Sequence, residues 1–230
     1  MNQVVRTLKD TSITHGFAHD ALRMALAAML AVAAAGCGSS DAAPSSFGPP
    51  IHKSGDSWTI TSTDTGTDPA SAPVQSTEYV DSADGAGFVG RIVDGSGATT
   101  AISVNAEGEL VSSGTCSFTP ADNTLQYPLA ADSKWNIDYT DCNGNHTTGT
   151  GAVIARETIT TALGPLDTFK ISLASTTTDT ATPPTTQTLT DTLNWSILDG
   201  VTAKEIIQVT LGDGTQLGID NELTSYTPAK

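Results

Sequence analysis

The sequence predicts an all-β domain, a single strongly curved antiparallel sheet or open β-barrel of about nine to twelve strands with little helix. Three observations predict it. Apolar and polar residues alternate in several runs: Trp135-Asn136-Ile137-Asp138-Tyr139, then Phe169, Ile171 and Leu173, then Leu189, Leu193, Trp195 and Ile197 around an outward Asn194. A period of two puts the apolar set of each run on one face of a strand, with Asp191 the one misfit on the inner face. Turn dipeptides fall between such runs at Asp84-Gly85, Asp94-Gly95, Glu107-Gly108, Asn143-Gly144, Asp199-Gly200 and Asp213-Gly214, and Asn-Gly or Asp-Gly supplies the positive φ angles of tight hairpins. Finally, no stretch after the N-terminal leader carries a 3.6-residue period, and the abundant Thr and Val stiffen toward extended geometry.

In chain order, residues 1–36 read as an export signal. Arg6, Lys9 and Arg23 precede the uncharged run Met24 to Ala35, which ends at Gly36-Cys37. That run is shorter than the ~20 residues a membrane-crossing helix needs. Residues 37–54 are small and polar up to Pro49-Pro50 and read as a flexible tether, too poor in large apolar side chains to bury a core. Residues 55–230 make the antiparallel β domain. Gly55-Asp56-Ser57 is a polar lead-in to a strand beginning at Trp58. Two Thr-rich tracts, Thr59 to Ala72 and Ala174 to Thr192, interrupt the strand order, and Pro183-Pro184 marks the second as a long hairpin tip.

The charge balance excludes nucleic acid as a partner. The chain holds 10 Lys plus Arg against 25 Asp plus Glu, and without residues 1–36 it holds 7 against 23, a net of -16. A polyanion would be repelled. With Cys37 set aside, Cys116 and Cys142 remain as one pair, expected to be bonded in an oxidising compartment. Closing a loop of that size contributes roughly 3 kcal/mol.

Catalytic signatures are weak. Gly55-Asp56-Ser57 invites comparison with the nucleophile motif of the SGNH hydrolases, but there is no Asp-x-x-His near the C-terminus and no crossover-helix pattern. His52 and His146 are the only histidines after the leader, too few for a catalytic zinc site. Asp81, Asp84, Asp213 and Asp220 could offer oxygens to calcium, without the spacing of an EF-hand loop. Carboxylate pairs suited to glycoside hydrolysis are set by the fold and are not readable in sequence. Trp58, Trp135 and Trp195 lie on the apolar phase of their strands, which points to core packing before sugar stacking.

Two resemblances add to this reading. Ala34-Ala35-Gly36-Cys37 resembles the lipobox of bacterial lipoproteins, with Ala34 where Leu is usual. The resemblance implies lipidation of Cys37, and Gly38 in place of an Asp implies the outer membrane. Three further segments are similar to a pattern in an uncharacterised family of exported bacterial lipoproteins with an all-β domain. They are Tyr127-Pro128-Leu129 with Trp135 and Tyr139, Glu157 to Ile171 around Gly164 and Phe169, and Asn194-Trp195 to Ile206 around Gly200-Val201. Departures are Ser133, Ala162 and Pro165-Leu166. The matching residues are structural in character, so the resemblance implies fold and compartment and no activity. The curved sheet of the LolA and LolB lipoprotein carriers is a looser fold analogy.

The expectation is therefore a non-catalytic, outer-membrane, lipid-anchored binding or scaffolding domain without cofactor or metal, on a lipid or protein partner. A hollow sheet would hold an apolar ligand against Trp135, Phe169, Leu193 and Trp195; otherwise those side chains fill their own core. A surface module that meets other proteins through its Thr-rich tips is the alternative, and a hydrolase with an unrecognised site is a third.

Overall fold

The computed structural model describes residues 46–65, 72–196 and 200–230. The signal segment, Cys37 and residues 37–45 of the expected tether lie outside the described residues. No helix occurs among the described residues, which form β1 (Ser46–Phe47), β2 (Ser57–Asp64), β3 (Val74–Asp84), β4 (Gly87–Asp94), β5 (Thr99–Asn105), β6 (Leu110–Ser113) and β7 (Cys116–Asp122). They continue as β8 (Leu129–Ala130), β9 (Lys134–Thr140), β10 (His146–Thr161), β11 (Gly164–Thr178), β12 (Thr186–Ser196), β13 (Thr202–Thr210) and β14 (Gln216–Thr227).

Twelve of these strands form one closed antiparallel barrel in the order β2-β3-β4-β5-β6-β7-β9-β10-β11-β12-β13-β14, with β14 returning to β2. The all-β fold is the predicted one, and its sheet closes. The dipeptides at 84–85, 94–95, 107–108, 143–144 and 213–214 fall at the junctions of successive barrel strands, so the hairpin reading of Asn-Gly and Asp-Gly extends around the wall, while Asp199 lies outside the described residues. Gly144 and Gly164 hold φ of +82° and +102° in their turns, a region that favours a residue without Cβ.

Strand direction alternates, so the connections gather at two ends. The lower end carries Ser46, Lys230, the β10–β11 hairpin tip and residues 123–133. The upper end carries the turns at 94–98, 141–145, 179–185 and 211–215.

Two expectations are corrected. The tract Ala174 to Thr192 is not a long tip: Thr178 pairs with Thr186, and only residues 179–185 lie outside the ladder. Thr is a good strand residue on both faces, and the prolines mark only the turn itself. Thr59 to Asp64 likewise belongs to β2, while 66–71 lie outside the described residues. Residues 46–54, read as tether, are partly packed on the barrel: Phe47 pairs with Leu129, and Pro50 and His52 are buried. A few well-placed rings anchored on a ready-made core suffice where composition alone argues for a free linker.

The wall has one weak seam. β7 and β9 share a single ladder pair, Thr119 with Thr140, whereas β10 and β11 pair from His146–Thr178 to Thr161–Gly164. The Cys116–Cys142 disulfide crosses this seam at the upper end, with Cα atoms 5.1 Å apart. Below it the Asn123 side chain stands in for missing ladder bonds, its Nδ2 donating to Asn136 O at 3.0 Å and its Oδ1 accepting from Asp138 N at 3.0 Å. Phe118 and Tyr139 pack edge to face across it at 5.7 Å.

Eight strands enclose a bore that wall side chains alone can fill, and twelve enclose more. Here the segment 123–133 and the β1–β8 pair supply extra filling at the lower end: Leu125 and Leu129 belong to the same buried cluster as Trp58, Trp135, Phe169 and Trp195, with Phe47 and Tyr127 packed against it.

Candidate functional site

The four residues expected to line an apolar face all lie in the buried cluster. Three of them come together on neighbouring strands. Phe169 on β11 is directly opposite Trp195 on β12, and one row higher Ile171 is opposite Leu193. Alternation along β11 and β12 makes this patch, because the inward phase of both strands is apolar in the same register. Trp135 stands apart on β9, opposite Gly151 of β10. A Cβ on Gly151 would fall inside the indole ring, so that glycine is what allows Trp135 to lie flat on the wall. Its Nε1 donates to Thr124 O at 3.0 Å and ties the 123–133 segment to the barrel.

What covers the Phe169–Trp195 patch comes from the chain's own non-barrel segments. Phe47 meets Phe169 edge-on with centroids 5.5 Å apart, and Tyr127 meets Trp195 at 5.9 Å. The Arg156 guanidinium lies 6.0 Å from the Phe47 ring and is paired with Asp167. Phe47 belongs to β1, which holds to β8 by two residue pairs.

Deeper rows carry acids that the sequence reading did not single out, apart from the Asp191 misfit. Glu205 lies between Leu193 and Asn221 in register, with Asp191 one row above. Asn221 Nδ2 donates to Glu205 Oε2 at 2.6 Å. Burial first, and then the facing Glu205 carboxylate, push the Asp191 pKa upward; burial pushes Glu205 up as well. Asp191 Oδ1 and Glu205 Oε1 are buried without a hydrogen-bond donor, and burial disfavours two charges on neighbouring strands. Glu78 is fully buried between Trp58 and Ile92 in register, and burial alone drives its pKa far above the ordinary carboxylate value. Asp122 is raised to about 6, burial again leading. The buried polar side chains among the described residues include no Lys or Arg.

His52 stacks on Trp58 at 4.9 Å and meets Phe88 edge-on at 4.7 Å. Burial lowers its pKa to about 4, against the opposing pull of Asp56. Asp56 accepts from Lys53 N at 2.8 Å and Ala229 N at 2.7 Å, so one carboxylate clasps the lead-in to β2 and the residues after β14 together. The visible signal was Phe47, Pro50 and Ile51 inside a polar stretch.

The remaining candidates are scattered. Asp81 pairs with Arg91 and Asp84 accepts from Ala86 N within the β3–β4 hairpin, whose turn is at the lower end, whereas Asp213 accepts from Thr215 N in the β13–β14 turn at the upper. His146 Nε2 contacts Asp138 Oδ1 at 2.8 Å on the exposed wall, far in register from His52. Ser57 lies in β2, its Asp56 neighbour committed to the clasp.

No protein-family model matches this chain, and no curated protein matches it. Among solved structures, the chain is similar to an inferred lipoprotein of Parabacteroides distasonis (15% identity, TM-score 0.48, covering 79% of this chain and 97% of the other). It is also similar to an inferred exported protein with a YmcC-like fold from Bacteroides fragilis (10% identity, TM-score 0.46, 80% and 100% covered). A third similarity is to the hypothetical lipoprotein YmcC from Escherichia coli (12% identity, TM-score 0.42, 75% and 86% covered).

Proposed function

We propose that the chain is a non-catalytic envelope lipoprotein, tethered to the outer membrane through Cys37, whose barrel receives an apolar ligand at its lower end. The observation that carries this reading is the Phe169–Leu193–Trp195 patch, covered by Phe47 and Tyr127 from outside the barrel wall. Closing an aromatic surface with short, separately held segments leaves it available to exchange, whereas a wall strand cannot leave without opening the sheet. Glu205 and Asp191 carry the raised pKa values a general acid needs, but both are buried, Glu205 in register with Leu193 and Asp191 one row higher, which favours a binding role over hydrolysis.

Native mass spectrometry of Gly38 to Lys230 purified from an exporting host tests the reading. A co-purified species of lipid mass is expected; a bare mass overturns the ligand assignment. The intact protein should also carry an acyl mass on Cys37 that Cys37→Ser removes.

A second reading has its own observation. The upper turns carry Asp94, Asp141, Asp179 and Asp213 and no Lys or Arg, which suits contact with a basic protein surface. Replacing Asp94, Asp141, Asp179 and Asp213 together by Asn, which removes the charges and keeps the oxygens that close the turns, should then abolish capture of that partner while the barrel stays folded; unchanged capture counts against it.

A further inference from the structure

The position held by Phe47 is itself a binding site, and we infer that it takes a planar aromatic or apolar group from outside in competition with the chain's own ring. The inference rests on the apolar-ligand reading above and names where that ligand enters and what it displaces.

The slot has three walls. Phe169 forms its floor, edge to face with the Phe47 ring. The Arg156 guanidinium covers the ring on another side and is held in place by Asp167, with Nη2 donating to Oδ2 at 2.5 Å. The backbone of Leu129 and Ala130 runs alongside as β8, and Leu129 is itself fully buried. An aromatic floor under a fixed guanidinium selects a flat, electron-rich group, because stacking and cation–π attraction both depend on the ring face.

The occupant is weakly retained compared with its surroundings. Phe47 is only partly buried, and its strand is two residues long. The next contact of this segment with the barrel is Pro50-Ile51-His52, where Ile51 is 70% exposed and His52 is wedged between Trp58 and Phe88. Phe47 can therefore swing out while His52 and the Asp56 clasp keep the lead-in to β2 in place. The vacated volume is that of a benzyl group above a surface already lined by Phe169, Leu193 and Trp195, so no wall strand has to move. Two-pair strands are among the lowest-energy openings available to a fold.

Binding of N-phenyl-1-naphthylamine to the full chain carrying Cys37→Ser, followed by the probe's fluorescence and by Trp quenching, tests the inference. Phe47→Ala should bind the probe at least tenfold more tightly than its parent, and Phe47→Tyr, which keeps the ring, should match the parent. Equal affinity in parent and Phe47→Ala overturns the competition while leaving an interior ligand in place. No binding by any variant overturns the slot and the apolar-ligand reading together. Should Phe47→Ala fail to fold, native-state hydrogen exchange of the parent decides. The amides of residues 46–48 should exchange at least tenfold faster than those of Ile171 and Leu193, and equal protection would overturn the inference because the strand would then leave only with global unfolding.

Discussion

The two ends of the barrel are stabilised by different physics. At the upper end the turns at 94–98, 141–145, 179–185 and 211–215 are each closed by their own carboxylate. Asp94 Oδ1 accepts from Ser96 N at 2.9 Å and Ala98 N at 3.0 Å, Asp141 Oδ1 from Asn143 N and Asn145 N, Asp179 Oδ1 from Ala181 N and Thr185 N, and Asp213 Oδ1 from Thr215 N. These are local bonds that need nothing from the rest of the chain. The lower end is held by residues distant in sequence: Phe47 on Phe169, Tyr127 on Trp195, and Asp56 on Ala229. The difference teaches where the stability of this fold resides. Local caps shape turns at small gain, and non-local burial of rings supplies the bulk of the free energy.

Four experiments would break or sharpen that contrast. The largest effect is expected from Trp195→Ala, which removes a side chain only 2% exposed and strands Tyr127; a loss of about 4 kcal/mol in denaturant unfolding follows from the cavity it leaves. Next comes the covalent tie at the upper end. Cys142→Ser should cost about 3 kcal/mol by restoring loop freedom to the unfolded chain. If it cost more than Trp195→Ala, the contrast between the ends would fail.

The third effect is on pH dependence and belongs to the interior. Glu78, Asp122, Asp191 and Glu205 all bind a proton more tightly in the folded barrel than in the open chain. Folded-state protonation therefore exceeds that of the unfolded chain between the ordinary carboxylate range and about neutrality, and stability rises as pH falls through that window. His52 opposes this between 6.5 and about 4, because its folded form resists the proton. Four carboxyls outweigh one imidazole, so Tm should be roughly 5 °C higher at pH 5.5 than at pH 8. Glu205→Gln should flatten the slope by raising Tm at pH 8; a Tm that falls on acidification to pH 5.5 would contradict the buried-acid account. The smallest change is expected at an upper turn, where Asp94→Ala should cost about 1 kcal/mol and Asp94→Asn almost nothing, since the amide oxygen can accept the same bonds.

Much of the wall was legible in the sequence because its signals are local. Period-two runs placed Trp135, Ile137 and Tyr139 together on one face of β9, and all three are buried. Gly164 marks the β10–β11 turn. Closure was not legible, since it depends on β14 returning to β2 from the far end of the domain, and on a single β7–β9 pair across residues 123–133. The site was legible only in part. Phe169, Leu193 and Trp195 were singled out by phase, but nothing local announces that Phe47, more than a hundred residues away, lies on Phe169. Asp191 broke the apolar phase of β12, and that breach was the one sequence trace of the acid pair, because its partner Glu205 is supplied by another strand. His52 was read as tether because a composition argument cannot see a stacking partner.

The seam between β7 and β9 bears on aggregation. A closed barrel offers no unpaired strand edge to a neighbouring chain, while a barrel parted at its weakest ladder offers two at once. Here those edges would be β7 and β9, secured against each other by one ladder pair, the Asn123 amide and the Cys116–Cys142 bond. Oxidation of that cysteine pair thus does more than tie off a loop: it withdraws the two templates on which copies of this long-stranded, Thr-rich chain could otherwise stack.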